Sequence, residues 1–156
     1  MPVKPLDKTD KAILNLLQHD GRLTNSKIAS HLSLSESPCW RRLKRLEDDG
    51  YICDYQANLD RRKLGLGVVA FVQLTVSEHD ETSTMKFEQI ILASEHVLAC
   101  HNTTGESDFL LQVVARDLDD YSHFVESYLR KLPGVTAIRS SLSLREIKSA
   151  TRLPVR

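Results

Sequence analysis

The chain has 156 residues, of which 41% are hydrophobic and 27% are charged, as in an ordinary globular protein. A chain of this length forms one large domain or two small ones with a core of their own, so folding requires neither a metal nor a disulfide. No apolar run approaches the roughly 20 residues that cross a bilayer, and the amino end MPVKPLDKTDK lacks the apolar segment of a secretory signal. We therefore expect a cytoplasmic protein without a membrane partner.

The formal net charge is zero, but the charges are unevenly distributed. Residues 1–64 contain 12 Lys and Arg against 9 Asp and Glu, whereas residues 65–156 contain 9 against 12. A modestly basic first half and an acidic second half indicate two regions with different tasks.

The three cysteines, Cys39, Cys53 and Cys100, are odd in number and widely spaced. This pattern excludes a complete disulfide framework and a Cys-x-x-Cys metal knuckle. We predict no metal site and no cofactor. Buried or unreactive thiols are the simplest interpretation of the cysteines, and a redox role is the alternative.

Three helices are predicted in the first 50 residues. Residues 7–19 carry Ile and Leu at helical spacing, and Thr24 can cap a shorter second helix. After a tight turn, a third helix begins at Ser35 or Ser37. Two helices joined by such a turn form a helix-turn-helix. The β-rich segment YICDYQANL that follows could pair as a short wing.

The hydrophobic period changes after the connector RRKLGLG, which places a domain boundary close to residue 65. Strand, helix, strand, strand, helix and strand are then predicted, in that order, at residues 68–76, 82–94, 97–101, 109–115, 117–132 and 135–147. The order βαββαβ is that of a ferredoxin-like sandwich. We predict an α+β protein with a helix-turn-helix domain at 1–64 and a ferredoxin-like domain at 65–156.

The third helix, with the sequence SPCWRRLKRLED, is strongly basic. If Cys39, Leu43 and Leu46 face inward, then Arg41, Lys44 and Arg45 point mostly outward and Arg42 lies on the flank. A helix-turn-helix lays its second helix in the major groove, with the amino-terminal residues of that helix at base edges. The predicted DNA-binding residues are Ser35, Ser37, Arg41, Arg42, Lys44 and Arg45.

Within this set, Ser37 and Arg41 are candidates for base contact, because Arg can bridge two guanine acceptors. Arg42, Lys44 and Arg45 are assigned to phosphate, where charge adds affinity without sequence information. Trp40 is expected to pack between helices rather than to contact the groove. The alternative for the whole helix is a solvated face whose cations pair with the acidic residues that follow at 47–49.

Several segments together resemble the Lrp/AsnC (leucine-responsive/asparagine-responsive) transcription regulators. They are LDKTDKAILNLLQHDGRLTNSKIA, LSLSESPCWRRLKRLEDDGYI, LGLG, TTGESDFLLQVVARDLDDYSHF and LPGVTAIRSSLSLREIK. The resemblance implies a winged or wingless helix-turn-helix joined to a ferredoxin-like domain. It also implies dimers that pair through their sheets and assemble further into tetramers or octamers. The sequence of the third helix is similar to that in a branch of the family that includes regulators of cysteine and branched-chain amino-acid metabolism.

The same resemblance implies a small amino-acid effector bound at contacts between subunits. The matching positions are Thr104, Gly105, Asp108, Leu118, Ser141, Leu142 and Ser143. Backbone amides at a glycine turn suit a carboxylate, and an acidic side chain suits an ammonium. From the residues alone, a plain turn at 104–108 would suffice. Candidate effectors are a branched-chain amino acid, methionine or cysteine, and family members often carry a larger residue at the position of Ser141.

We therefore predict a sequence-specific, DNA-binding transcriptional regulator of amino-acid metabolism, associated with the nucleoid and modulated by a small amino acid. An architectural DNA organiser without a specific ligand is the alternative, and a redox sensor that uses Cys39 or Cys53 is another. An enzyme is not expected, because Cys100 and His101 are adjacent in a predicted strand and so point to opposite faces.

Overall fold

The computed structural model describes residues 5–77, 81–149 and 152–156. The chain forms two compact units, Met1–Asn58 with Lys148–Arg156, and Leu59–Ile147. The expected division at residue 65 placed the carboxyl-terminal tail in the second domain, whereas its contacts are with the first unit. Gln18 Nε2 donates to Leu153 O at 3.1 Å, and Leu153 N donates to Gln18 Oε1 at 2.6 Å.

Three helices build the first unit: α1 (Lys8–His19), α2 (Asn25–His31) and α3 (Glu36–Asp48). Asp7 and Asp10 form a reciprocal capping box at the start of α1. Thr24 caps α2 by accepting a hydrogen bond from Lys27 N, as predicted. Ser35 occupies the capping position of α3 without a side-chain capping hydrogen bond. The turn before it places Ser33 at φ 53, in the left-handed region.

The three helices enclose a hydrophobic core. Ile13 of α1, Ile28 of α2, and Cys39 and Leu46 of α3 are each fully buried. The predicted helix-turn-helix is therefore confirmed. The segment YICDYQANL contains no strand in the structure, so the expected short paired wing is not formed. Tyr55 in this segment instead donates its hydroxyl to Glu47 Oε1 at 2.9 Å.

The second unit carries the elements β1 (Val68–Val76), α4 (Glu81–Leu92), β2 (Val97–Asn102), β3 (Phe109–Ala115), α5 (Leu118–Ser127), a 3-10 turn (Leu129–Lys131) and β4 (Val135–Leu142). The strands form one antiparallel sheet in the order β2-β3-β1-β4. The α+β class and the βαββαβ order are confirmed. The last strand ends at Leu142 rather than at Ile147, and the pairing with β1 closes with the bond from Ser143 N to Val69 O.

One face of the sheet is buried against the helices, and the other is open around Phe71 but buried at Val69 and Val114. Ala70, Val72 and Leu74 of β1 are fully buried in a core that includes Phe87 of α4 and Phe124 of α5. The alternating positions of β1 point away from this core, and Phe71 among them remains 43% exposed. Pairing with β1 places β4 on one side of this strand and β3, with the β2–β3 turn, on the other, and these segments carry most of the residues assigned to the effector.

Candidate nucleic-acid interface and effector site

Helix α3 presents one polar face and one buried stripe. Cys39 and Leu46 are fully buried and Leu43 is partly buried, as the helical spacing predicted. On the opposite side, Ser37, Arg41 and Lys44 are exposed. The structure therefore presents a basic surface, but one smaller than the sequence predicted.

Two of the predicted cations are engaged inside the first unit. Arg42 Nη1 lies 2.6 Å from Asp7 Oδ2 and 2.8 Å from Asp10 Oδ1. Arg45 Nη2 lies 2.6 Å from Asp10 Oδ2, and Asp10 is only 1% exposed. The prediction that Arg45 points outward is wrong, because a buried carboxylate on α1 requires nearby cations to offset its lost hydration. Both arginines attach α3 to α1, so this geometry does not support their assignment to phosphate.

The ion pairs are reflected in the acidity of their carboxylates. The hydrogen bond from Asp10 N, followed by that from Arg42, lowers the pKa of Asp7 to about 2. Burial acts to raise the pKa of Asp10, but the bond from Asp7 N and the two guanidinium groups outweigh it, and the pKa is lowered. The same contacts raise the pKa of Arg42. The three side chains therefore remain charged across the neutral range.

Lys44 has a weaker intramolecular partner. Its Nζ lies 2.8 Å from Asp48 Oδ1, and the two side chains are 52% and 60% exposed. Exposed pairs at this helical spacing contribute only about 0.3–0.5 kcal/mol. Lys44 can therefore exchange this partner for a phosphate at little cost, whereas Arg42 and Arg45 cannot.

A concavity of about 500 Å³ opens beside the amino-terminal half of α3. It is lined by Asn25, Glu36, Ser37, Trp40 and Arg41. Trp40 is 56% exposed, so the expectation that it packs between helices is wrong. The tryptophan lies on the flank of α3 opposite Arg42, and more than half of its surface is open to solvent.

Asn25 was missed by the sequence reasoning. Its Nδ2 donates to Glu36 O at 3.0 Å and so ties the first turn of α2 to the first turn of α3. Its Oδ1 is buried without a hydrogen-bond partner among the described residues. Its position directly after the helix cap Thr24 could have indicated this contact, because a short turn brings the first turn of α2 close to α3.

The first group of predicted effector residues lies in the turn between β2 and β3. Thr104 and Gly105 are exposed, and Gly105 adopts φ 132, which side chains other than glycine rarely adopt. Asp108 Oδ2 accepts a hydrogen bond from Val76 N at 2.7 Å. The Asp108 carboxylate thus anchors the turn to the end of β1, a role that the sequence did not predict.

The second group lies at the other end of the sheet. Ser141 pairs with Phe71, and Ser143 N donates to Val69 O. Asp108 N, by contrast, donates to Leu74 O. The two attachment points are about 17 Å apart along β1. Leu118, which is 58% exposed, follows β3 at the same end as Ser143. The structure therefore does not bring the two groups together within one chain.

Comparisons with known proteins agree with both regions. Residues 6–52 match the model of a winged helix-turn-helix DNA-binding domain, and residues 69–153 match the model of the Lrp/AsnC ligand binding domain. The chain belongs to the Lrp/AsnC family of transcriptional regulators. The family resemblance of the sequence is thereby confirmed.

Individual Lrp/AsnC relatives match the chain over nearly its full length. The DNA-binding transcriptional activator DecR of Escherichia coli is 37% identical over 96% of this chain and 99% of its own. The leucine-responsive regulatory protein of the same species is 33% identical over 99% and 94%. A transcriptional regulator of Neisseria meningitidis, solved as a complex with L-Met, superposes with a TM-score of 0.92, 41% identity, and coverage of 96% and 97%.

The structure gives little support for a metal site, a redox sensor, a thiol–histidine dyad or a membrane span in this Lrp/AsnC chain. Among the described residues, no group of three or more His, Cys, Asp or Glu is placed to hold a metal ion. Burial raises the pKa of the Cys39 thiol, which makes it a poor redox sensor. Cys100 packs towards the core while the neighbouring His101 is exposed. None of the described helices is long and apolar enough to span a bilayer.

Proposed function

We propose that this Lrp/AsnC-family protein is a sequence-specific transcriptional regulator of amino-acid metabolism whose DNA binding is modulated by a small amino acid. The observation that carries the proposal is the exposed face of α3, where Ser37, Arg41 and Lys44 lie opposite the buried stripe. Such a helix, preceded by a short helix and a tight turn, is the element that enters the major groove. We propose the cytoplasm, on the nucleoid, as its place of action.

Within this surface, each exposed residue has a separate task. Arg41 and Ser37, near the amino end of α3, contact base edges. Lys44 contacts phosphate. The Ser35 hydroxyl makes no capping hydrogen bond, so it can donate to a phosphate at the helix amino terminus.

The effector site is proposed to need two chains. The Thr104–Asp108 turn attaches to β1 at Leu74, whereas the Ser141–Ser143 segment attaches between Phe71 and Val69, about 10–17 Å further along that strand. The ammonium and carboxylate of a free amino acid cannot reach both groups of residues, because they are bonded to the same carbon atom. If both groups of residues bind the effector, the turn of one subunit must meet β4 and Leu118 of another.

Two exposed leucines and the ligand of one relative suggest which amino acids to test as effectors. Leu118 and Leu142 are exposed at the β4 end and offer apolar contacts to a ligand side chain. The Neisseria relative was solved with L-Met. Methionine, a branched-chain amino acid and cysteine are therefore the first ligands to test. The open face of the sheet around Phe71 is the proposed surface for dimer formation, with further assembly into tetramers or octamers.

Fluorescence anisotropy on labelled duplexes tests the DNA-binding part of this proposal. The region upstream of the protein's own gene is compared with random duplex at several salt concentrations. Specific binding predicts a preference for the upstream region and a steep fall in affinity with salt. Absence of both would contradict the proposal.

Thermal unfolding with a panel of amino acids tests the effector. A ligand at 100 times its dissociation constant stabilises the native form by about 2.7 kcal/mol, a readily measured shift. DNA binding without stabilisation by any amino acid would favour the architectural alternative. Turnover of a substrate that is lost on Cys100→Ala or Asp108→Asn would instead indicate an enzyme.

A further inference from the structure

We infer that Trp40 is a specificity-determining residue that recognises the 5-methyl group of a pyrimidine in the DNA major groove. The inference rests on the proposed function, and it adds a reading residue that the basic pattern of α3 does not predict. It starts from the position of the indole, which is 56% exposed in the first half of a helix whose apolar stripe, Cys39 and Leu46, is fully buried.

Exposure of one apolar side chain is common on protein surfaces and by itself indicates nothing. The surroundings of Trp40 are what distinguish it. The indole forms one wall of the concavity of about 500 Å³ that also includes Ser37 and Arg41. Ser37 and Trp40 are three residues apart in α3, and Ser37 and Arg41 are four apart, so the three side chains share one surface.

The charge of the concavity favours base edges over phosphate. Glu36 also lines it, four residues before Trp40 and on the same side of the helix. A carboxylate repels a phosphate, but it accepts hydrogen bonds from the amino group of cytosine. In the major groove, the apolar feature that base edges present is the C5-methyl of thymine. The Trp40 indole therefore suits a thymine methyl, while the neighbouring carboxylate, hydroxyl and guanidinium groups suit the polar atoms of the base edges.

The engaged arginines determine which flank of α3 is free. Arg42 and Arg45 are ion-paired with Asp7 and Asp10 at the start of α1, so the flank that carries them faces α1. The remaining surface of α3 runs from Trp40 across Arg41 to Lys44. If this surface docks on DNA, the Trp40 indole is carried into the same groove as Arg41.

The test compares thymine with deoxyuridine, which lacks only the methyl group. A high-affinity duplex is first selected from random sequences with the wild-type protein. Each thymine is then replaced by deoxyuridine, one symmetric pair at a time, and the dissociation constants are measured. At one pair of positions we expect the dissociation constant to rise about fourfold for each half-site that loses its methyl group. This is the change that corresponds to one buried methyl-sized group.

Variants assign the methyl contact to the indole. Trp40→Ala is expected to bind the thymine and deoxyuridine duplexes equally, at about the wild-type affinity for deoxyuridine. Leu92→Ala, which removes an 84% exposed side chain from α4, is the matched control and should keep the discrimination. A C·G pair at the sensitive position, with and without 5-methylation of cytosine, separates the two sources of the methyl. Recovery on methylation extends the readout to 5-methylcytosine, and its absence confines the readout to thymine.

Several results would overturn the inference. The first is equal wild-type affinity for every thymine and deoxyuridine duplex. The second is discrimination that persists in Trp40→Ala. A particular form of this second result is a Trp40→Ala protein whose assembly dissociates in sedimentation while its methyl preference is unchanged. The last would assign Trp40 to a subunit contact. Wild-type protein that binds DNA but ignores the methyl contradicts this inference alone. Wild-type protein that binds no duplex contradicts the proposed function as well.

Discussion

Arg45 Nη2 lies 2.6 Å from Asp10 Oδ2, so a cation of the candidate recognition helix is bonded to a carboxylate that is only 1% exposed on α1. Arg42 approaches the other oxygen of Asp10 at 2.8 Å. The pair of arginines therefore fixes the orientation of α3 relative to α1. Positive charge in this helix serves two purposes, since part of it holds the helix in place and part faces solvent.

Replacing Asp10 should destabilise the first unit. Asp10→Asn keeps the shape of the side chain but leaves two guanidinium groups without their buried counter-charge. We expect a loss of about 2–4 kcal/mol in the free energy of unfolding, somewhat less than the roughly 3–5 kcal/mol of a broken, fully buried pair, because the arginines are partly exposed. Urea unfolding followed by circular dichroism measures it. Asp48→Asn, which breaks only the exposed pair with Lys44, should change stability by less than about 0.5 kcal/mol.

Lys44 and Arg42 should differ in their effect on salt dependence. Lys44→Ala removes a proposed phosphate contact, so the slope of log affinity against log salt should fall by about 0.9 for each subunit that contacts DNA. Arg42→Ala should leave this slope unchanged, because its guanidinium is bonded to Asp7 and Asp10. Anisotropy titrations at four or more salt concentrations provide both slopes. A reduced slope for Arg42→Ala would show that this arginine leaves its carboxylates to contact DNA.

Arg41 should affect which sequences are bound rather than how strongly all of them are bound. Arg41→Ala should reduce affinity for the preferred duplex by about 1–3 kcal/mol and relax the preference at one position of each half-site. Binding to random duplex should fall much less. Selection from a random library with wild-type and variant protein measures the change. An unchanged consensus sequence would exclude Arg41 from base reading.

Acid should weaken the attachment of α3 to α1. The pKa of Asp7 is lowered from its ordinary value near 3.8 to about 2, so the unfolded chain binds the proton more readily than the folded one. The contribution of Asp7 is therefore fully present above about pH 4 and is lost as the pH falls towards 2. Urea midpoints between pH 2 and 6 should show this decrease. Asp7→Asn should show a smaller decrease over the same range, and an equal decrease would exclude Asp7 as the source.

Asp108 offers a test of effector binding that separates charge from structure. Asp108→Asn keeps an oxygen that accepts from Val76 N but removes the negative charge. If the carboxylate binds the effector's ammonium, the dissociation constant of the stabilising amino acid should rise at least about tenfold. The unfolding temperature without ligand should change little. Glu106→Gln, in the same turn and paired with exposed Arg139 at 3.3 Å, should leave affinity for the effector unchanged.

Features with a local signal were predictable from the sequence. The bounds of β1 and β3 agree with the prediction, because alternating apolar residues record which face of a sheet is buried. The cap at Thr24 was predicted, because a capping side chain bonds within three residues of itself. The inward stripe of Cys39 and Leu46 follows from the helical period.

Features that depend on distant partners were decided only by the tertiary structure. Periodicity places Arg45 outside the apolar stripe, but it cannot show that Asp10 of another helix lies beside it. Nor could it show that Trp40 is largely exposed, or that Asp108 accepts a hydrogen bond from Val76 N. The separation of the effector residues by the length of the sheet depends on strand order and register. The sequence by itself determined the elements, their buried faces and the family, because these depend on neighbours along the chain. Packing between elements decided which cations of α3 face solvent and which residues lie together in one site.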